Sequence, residues 1–432
     1  MLKPLDRTQV PQSSPLKNVK LPTYEQHELP NGISVYLLPF GNVEVSTLRC
    51  IFRGGKGHQP QTGVASYTTR NMSEGTRSYT GFELAKVLDR FGTWIGSQTG
   101  YEHISFDLST LSKDLPATLP LLAEVLFSPR LAVEEFENMR QRNLQKLQVE
   151  AQKTRYHAQR LFGHELFGNK HPYGMHLGED ELNALRIEHI HTYHQANFFP
   201  GNFQITVVGS FDSHLILEEL SKSFGQVPTK SPISSPSLAK MPISPSGHAS
   251  VRKPLSGMQS TVRVGHLNFP RNHPDFYGMQ IVNSILGGYF GSRLMQNIRE
   301  DKGYTYGISS GWLSFAHNGF FVVQSDVGNE YVEDTILEIK KEIRILQNEL
   351  VPEEELTLVK NYLQGRSLSE RETLFQLSDL LRFSLVNDIS FEELDRKFEV
   401  LREITSEDIL SLAQTHLKPD EMLEVVVGGA SK

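Results

Sequence analysis

The feature that most constrains this chain is an internal repeat. FFPGNFQITVVGSFD, from Phe198, and HLKPDEMLEVVVGGAS, from His416, read alike as a helix end, a loop and an apolar strand closed by glycine. Upstream, PRLAVEEFENM (from Pro129) matches ELVPEEELTLV (from Glu349), with Phe136 opposite Leu356, and both segments introduce long amphipathic helices. Further upstream each half carries a helix closed by glycine, at Gly92 and at Gly303, followed by a two-stranded hairpin. Four correspondences in the same order, at offsets of roughly 211 to 220, predict two homologous domains in one chain.

The hairpin turns are expected at Thr99-Gly100 and at Asn318-Gly319, the latter a favoured two-residue turn. Hairpin-linked strands imply a largely antiparallel sheet in each domain, with the long helices laid on one face: an α+β fold. Between the halves, residues 226–252 are rich in proline and serine and lack apolar periodicity, which predicts a linker or hinge. The expected organisation is an N-terminal extension over 1–22, a first domain over 23–225, the linker, and a second domain over 253–432.

A chain of 432 residues is long enough to bury two such cores. Its net charge of −7 argues against binding to nucleic acid or an anionic membrane surface. Cys50 is the one cysteine, so neither an internal disulfide nor a cysteine-ligated zinc is expected. No run reaches the length of a membrane span and the first residues do not read as a signal peptide, so a cytoplasmic location is expected.

The only metal-like sequence cluster is Glu188, His189, His191 and His194. His191 and His194 share a helical face at a spacing of i, i+3, which reads more simply as a histidine-bearing surface helix. His171, in HPYG, reads as part of a structural turn, and IKKEIRILQNEL, from Ile339, as a solvated helix face with i, i+4 pairing. The glycines of LGGYFGSR, Gly287, Gly288 and Gly291, lack the lysine of a phosphate loop. They let a helix or loop pass close to a neighbour or to substrate backbone.

The order of elements resembles the pitrilysin/insulinase family of zinc metallopeptidases, from about Leu29 to Gly428. The matching stretches are LPNGISVYLLP, GVASYTTRNMSEGT, NKHPYG and GNFQITVVGSF in the first half, with ILGGYFGSRLMQNIREDKGYTYGISS and LEVVVGGA in the second. The resemblance implies a metallopeptidase clam-shell half of two repeated domains. The family's catalytic signature is His-x-x-Glu-His on a helix, in which two histidines bind zinc and the glutamate acts as base. Here Ser66, Thr69 and Arg70 stand at the first histidine, the glutamate and the second histidine, and Gln145 or Lys146 at the distal glutamate. No ligand remains, so neither a metal site nor a cofactor is expected in this chain.

The second half matches the family's arginine–tyrosine pair at Arg299 and Tyr306, whose implied role is to donate hydrogen bonds to the scissile carbonyl oxygen. Tyr304 shares the expected strand face of Tyr306 and is the alternative donor, while Gly287 and Gly288 are the implied substrate-binding glycines. The resemblance therefore implies a non-catalytic subunit that completes a homologous zinc-binding partner chain, with zinc held by that partner and a peptide as substrate. The alternative is a non-enzymatic scaffold or peptide-binding homodimer of the same fold. A peptide is expected to add as a strand to the Thr93–Gln98 edge.

Overall fold

The computed structural model describes residues 20–229 and 241–429. Residues 1–19 of the expected N-terminal extension and 230–240 of the expected linker lie outside the described residues. The first half runs β1 (Glu25–Glu28), β2 (Ser34–Pro39), β3 (Val45–Arg53), α1 (Val64–Met72), α2 (Gly81–Arg90), β4 (Trp94–Thr99) and β5 (His103–Leu111). It continues with α3 (Leu115–Phe127), α4 (Val133–Glu150), α5 (Thr154–Phe167), α6 (Glu179–Ala184), α7 (Ile187–Asn197), β6 (Phe203–Gly209) and α8 (Ser213–Ser223). The second half runs β7 (Ser250–Lys253), β8 (Gln259–Asn268), α9 (Phe276–Asn283), two π-helical turns (Ser284–Gly288 and Met295–Asp301), β9 (Thr305–Ser314) and β10 (Gly319–Gly328). It closes with α10 (Val332–Asn348), α11 (Glu353–Ser369), α12 (Leu374–Asn387), α13 (Phe391–Glu403), α14 (Ser406–His416) and β11 (Leu423–Val427).

The repeat is visible in the strand order. One sheet is β1-β2-β6-β3-β5-β4 and the other β7-β11-β8-β10-β9, so apart from β1 the two orders superpose strand for strand. In each, one pair is parallel, β2 with β6 and β7 with β11, and the remaining pairs are antiparallel. The hairpins and long helices expected from sequence are present, but the first turn is not at Thr99-Gly100: Thr99 pairs with Ile104 inside the ladder and the loop is Gly100–Glu102, with the Gly100 N–H on the His103 carbonyl at 2.8 Å. Phe136 and Leu356, paired in the repeat, are each buried in the first turn of α4 and α11. Gly92 (φ 57°) and Gly303 (φ 69°) both take the left-handed conformation that glycine adopts without strain, which ends the preceding helix.

Two further local expectations are corrected. Asn318-Gly319 does not form a two-residue turn: Gly319 pairs with Ser314 inside the ladder, and the loop is Phe315–Asn318, closed by the Phe315 N–H on the Asn318 carbonyl at 2.7 Å. Gly319 is held in the strand by close packing, since a Cβ there would lie 1.9 Å from Asn268 Oδ1. The linker is also shorter than 226–252. Ser250–Lys253 form β7, and before it Ser244 and Ser246 donate backbone hydrogen bonds to Phe167 and Glu165 of α5.

Helices lie on one face of each sheet as expected, and the other half of the chain covers the second face. Helix α5, from the first half, packs on β11 and β8, where Ala158, Phe162, Leu166 and Phe167 meet Val322, Leu423, Val425 and Val427. Reciprocally, α12 packs on β6 and β3, where Leu377 and Leu381 meet Leu38 and Val208. Successive strand residues point to opposite faces, so Val426 joins the core under α10 and α14 while Val425 and Val427 face α5. Burial on both sides is why Val425–Val427 and Val207–Val208 are consecutive apolar residues rather than alternating with polar ones.

Arginines on equivalent strands sit beneath both exchanged helices. Arg49 on β3 pairs with Asp107 on β5 and reaches Asp379 of α12 at 2.9 Å. Arg263 on β8 donates to Gln324 at 2.9 Å and lies 5.3 Å from the ring centroid of Phe162 on α5. Removing Arg49 would leave the buried Asp107 carboxylate without its partner, a loss of about 3 kcal/mol or more. Arg49→Ala is therefore expected to lower the urea midpoint of unfolding by that equivalent with the slope unchanged; a midpoint shift under a third of this would show that the Arg49–Asp107 pair does not carry that stability.

His103 and His176 are held neutral. Burial first, then positive neighbours including Arg53 for His103 and Arg160 for His176, lower each from its ordinary value of 6.5 to about 4. The unfolded chain thus binds more protons than the fold between these values, so stability falls as the pH drops from 6.5 toward 4. The urea midpoint should decline across that window, and a His103→Asn, His176→Asn double variant should decline less; an identical slope would contradict the assignment.

Candidate functional site

Helix α1 starts at Gly63, whose φ of 96° and close approach to Leu177 leave no room for a side chain. Its inner face, Val64, Ala65, Tyr67 and Met72, is fully packed in the first core, so the helix is rigidly placed. The three residues expected at the degenerate zinc-motif positions lie on this helix. Ser66 is half-buried, Thr69 is buried with its hydroxyl donated to the Ala65 carbonyl at 2.8 Å, and Arg70 is exposed in the last turn. Of the two candidates on α4, Lys146 faces the same cleft as Arg70 and Gln145 does not line it.

This set does not fit a zinc ion. A serine hydroxyl, a threonine committed to its own backbone, a guanidinium and an ammonium supply neither the anionic or imidazole ligands nor the charge that the metal needs. The cleft holds about 430 Å³ and lies between the end of α1, α4 and the outermost strand β4. Buried Tyr67, beside it, has its phenol pushed up to about 12, chiefly by desolvation.

Arg299 lies in the π-helical turn Met295–Asp301, which packs on β9. π-turns recur at functional positions because they widen the helix locally. The guanidinium carbon of Arg299 lies 4.6 Å from the centroid of the exposed Phe290 ring, and its buried Nη1 donates to no protein group among the described residues. Tyr306, near the start of β9, is 91% exposed. Arg299 thus retains an uncommitted donor and Tyr306 an accessible phenol. β9 and β4 occupy equivalent outer edges of the two sheets.

Tyr304 does not share the strand face of Tyr306. It precedes β9, and its ring stacks on Tyr331 at 4.6 Å and 10° against the second core. Gly287 is explained by packing: a Cβ there would lie 2.6 Å from Ser310 Oγ, so the π-turn presses directly on β9. Gly288, at the end of that turn, is half-buried and would crowd Asn283. The expected docking edge Thr93–Gln98 is displaced by one residue, since β4 begins at Trp94 and Thr93 is buried, bonded to Thr110 at 2.7 Å.

Two of the α7 histidines, His189 and His194, have structural partners. His194 Nε2 lies 2.8 Å from the Leu126 carbonyl and the ring stacks on Phe198, while His189 Nδ1 accepts the Arg186 N–H at 3.2 Å at the helix start. His191 lines a separate surface cleft with His194, and Glu188 is exposed outside it. Among the described residues, the compact group of potential ligands is instead His273, Asp275 and His416, whose ligand atoms lie within 4.8 Å of one another. Residues this far apart in sequence meet because α9 begins against the end of α14, and His416 Nε2 approaches Asp275 Oδ2 at 2.7 Å. No spacing rule could have found it. Among the described residues, no helix is long and apolar enough to cross a membrane.

Two family profiles match consecutive parts of the chain: Insulinase (Peptidase family M16) over residues 42–179 and Peptidase M16 inactive domain over 184–363. An uncharacterized zinc protease of Streptomyces coelicolor is 23% identical over 419 residues, covering 94% of this chain and 89% of that protein. An uncharacterized zinc protease of Rickettsia felis is 23% identical, covering 89% and 93%. Among solved structures, a peptidase M16 inactive domain from Pseudomonas fluorescens superposes with a TM-score of 0.86 at 22% identity, over 94% of this chain and 98% of that one. A protease from Helicobacter pylori does so at 0.87 and 20% identity, over 95% and 100%. The fold is shared almost end to end with these structures, and the two profiles, which together span most of residues 42–363, establish that the chain belongs to the insulinase, or M16, peptidase family.

Proposed function

We propose that this protein is the zinc-less subunit of a two-chain metallopeptidase, supplying Arg299 and Tyr306 and half of a peptide chamber to a homologous partner that carries His-x-x-Glu-His and the zinc. The observation that carries this reading is the free donor on Arg299, buried at Nη1 without a protein acceptor among the described residues, beside a strand that projects Tyr306 into solvent. A buried guanidinium nitrogen without an acceptor is costly to maintain, and a substrate carbonyl oxygen is the kind of group that would satisfy it. As negative charge grows on that oxygen in the transition state, the guanidinium and phenol bonds strengthen, which lowers the barrier. Activation of water by the metal and base would fall to the partner, because α1 here supplies neither ligand nor carboxylate.

Co-purification from the native lysate is expected to recover a homologous chain with an intact His-x-x-Glu-His and about one zinc per pair. In the reconstituted pair, Arg299→Ala and Tyr306→Phe should each lower the turnover of a peptide on the order of a hundredfold. The urea midpoint of Tyr306→Phe should not move, since the side chain is exposed. Unchanged turnover in both variants would refute the role, and recovery of this chain only as a metal-free dimer would favour a non-enzymatic scaffold.

A further inference from the structure

The place where the family keeps a metal is, in this chain, a cleft lined by cations. Arg70 ends α1, and Arg142 and Lys146 lie one turn apart on α4, all three lining the cleft. Glu74 is the one carboxylate on its wall, so the lining carries a net charge of about plus two. None of the three cations forms an ion pair or hydrogen bond within the described residues. Neighbouring cations do: Arg140 is paired with Glu137 at 2.6 Å, Lys153 with Glu150 at 2.6 Å, and Arg130 with Glu135 at 3.7 Å. The field of Arg70 also reaches Lys56, whose ammonium is lowered from its ordinary range by desolvation and then by that charge. Cations that outnumber the one carboxylate beside them in a concave, partly apolar site are positioned for an anion that comes from outside the chain.

On the sheet side the wall is Ile95 and Ser97, alternate residues on the face of β4 that looks into the cleft. The other face is closed by Trp94, whose ring lies so near Gly96 that a Cβ there would meet it at 1.9 Å. β4 pairs with β5 on one side and ends the sheet on the other, so its outer backbone groups are free among the described residues. An extended peptide that adds to this edge would direct every second side chain toward the same cleft.

We propose that the cleft is an acidic subsite: a peptide added along β4 is selected by glutamate or aspartate at alternate positions, held by Arg70, Arg142 and Lys146. This rests on the peptide-chamber reading above and adds the substrate class. The replacement of metal ligands by cations then changes what the position recognises, from a scissile carbonyl to a carboxylate. Carboxylate binding by guanidinium and ammonium groups weakens with ionic strength, which distinguishes it from an apolar contact.

The test is fluorescence anisotropy with the full chain and a labelled ten-residue peptide alternating glutamate with threonine, against the same peptide with glutamine in place of glutamate. At low salt the glutamate peptide should bind at least about tenfold more tightly, and the ratio should shrink as salt is added. The Arg70→Gln, Arg142→Gln, Lys146→Gln variant should bring the ratio to about one without weakening the glutamine peptide. Because these side chains have no structural partner, its melting temperature should match that of the parent. Lys146→Glu, a single change, should in addition improve binding of a lysine–threonine peptide. Equal binding of the glutamate and glutamine peptides overturns the acidic subsite and leaves the peptide chamber standing, whereas binding of neither overturns both. A glutamate preference that persists in the triple variant overturns the assignment to these residues.

Discussion

The two halves of this protein depend on an exchange of helices. Each sheet buries one face against helices of its own half and the other against a helix from the opposite half, α5 on β11 and β8, α12 on β6 and β3. Neither half could cover its sheet without the other, because the strands are apolar on both faces. The two halves therefore form one mutually dependent unit despite an internal repeat. The buried arginines Arg49 and Arg263 mark the exchange on each side, one pairing with carboxylates and the other lying against an aromatic ring. Their difference shows how far equivalent positions have diverged while the topology stayed constant.

That same rigidity positions the functional surfaces. Helix α1 is locked by Val64, Ala65, Tyr67 and Met72 in the first core, so the character of its outward residues sets the chemistry of the cleft beside it. With Arg70 on α1 and Lys146 on α4, the cleft repels a cation and attracts a carboxylate. In the second half both π-helical turns pack on β9, the one that carries Arg299 and the one over Ser284–Gly288, the latter so closely that Gly287 can have no side chain. A shared architecture thus carries an anion-attracting cleft beside one edge strand and free hydrogen-bond donors beside the other.

Much of this was legible before any coordinates. The repeat, the glycine-ended helices and the paired amphipathic helices all follow from local signals, because Gly92 and Gly303 have to take left-handed backbone and Phe136 and Leu356 have to be buried. That Ser66, Thr69 and Arg70 are not a histidine–glutamate–histidine set is equally plain, since ligand chemistry is a property of residue type. Tyr304 was misjudged because a period of two holds only inside a strand, and it lies one residue before β9 begins. Asn318-Gly319 was misjudged because close packing against Asn268 keeps Gly319 in the ladder.

By itself, then, the amino-acid sequence determined the two-fold plan, the class of each element and the absence of a zinc ligand set on α1, all of which depend on neighbours in the chain or on residue chemistry. Only the tertiary structure decided that α5 and α12 change places, that Lys146 rather than Gln145 lines the cleft of Arg70, that His273, Asp275 and His416 converge, and that Arg299 keeps an unpaired donor among the described residues. The physical reason is the same in every case: each depends on which surfaces pack together across a hundred or more residues of chain or across a single turn of helix, and no local pattern encodes that choice.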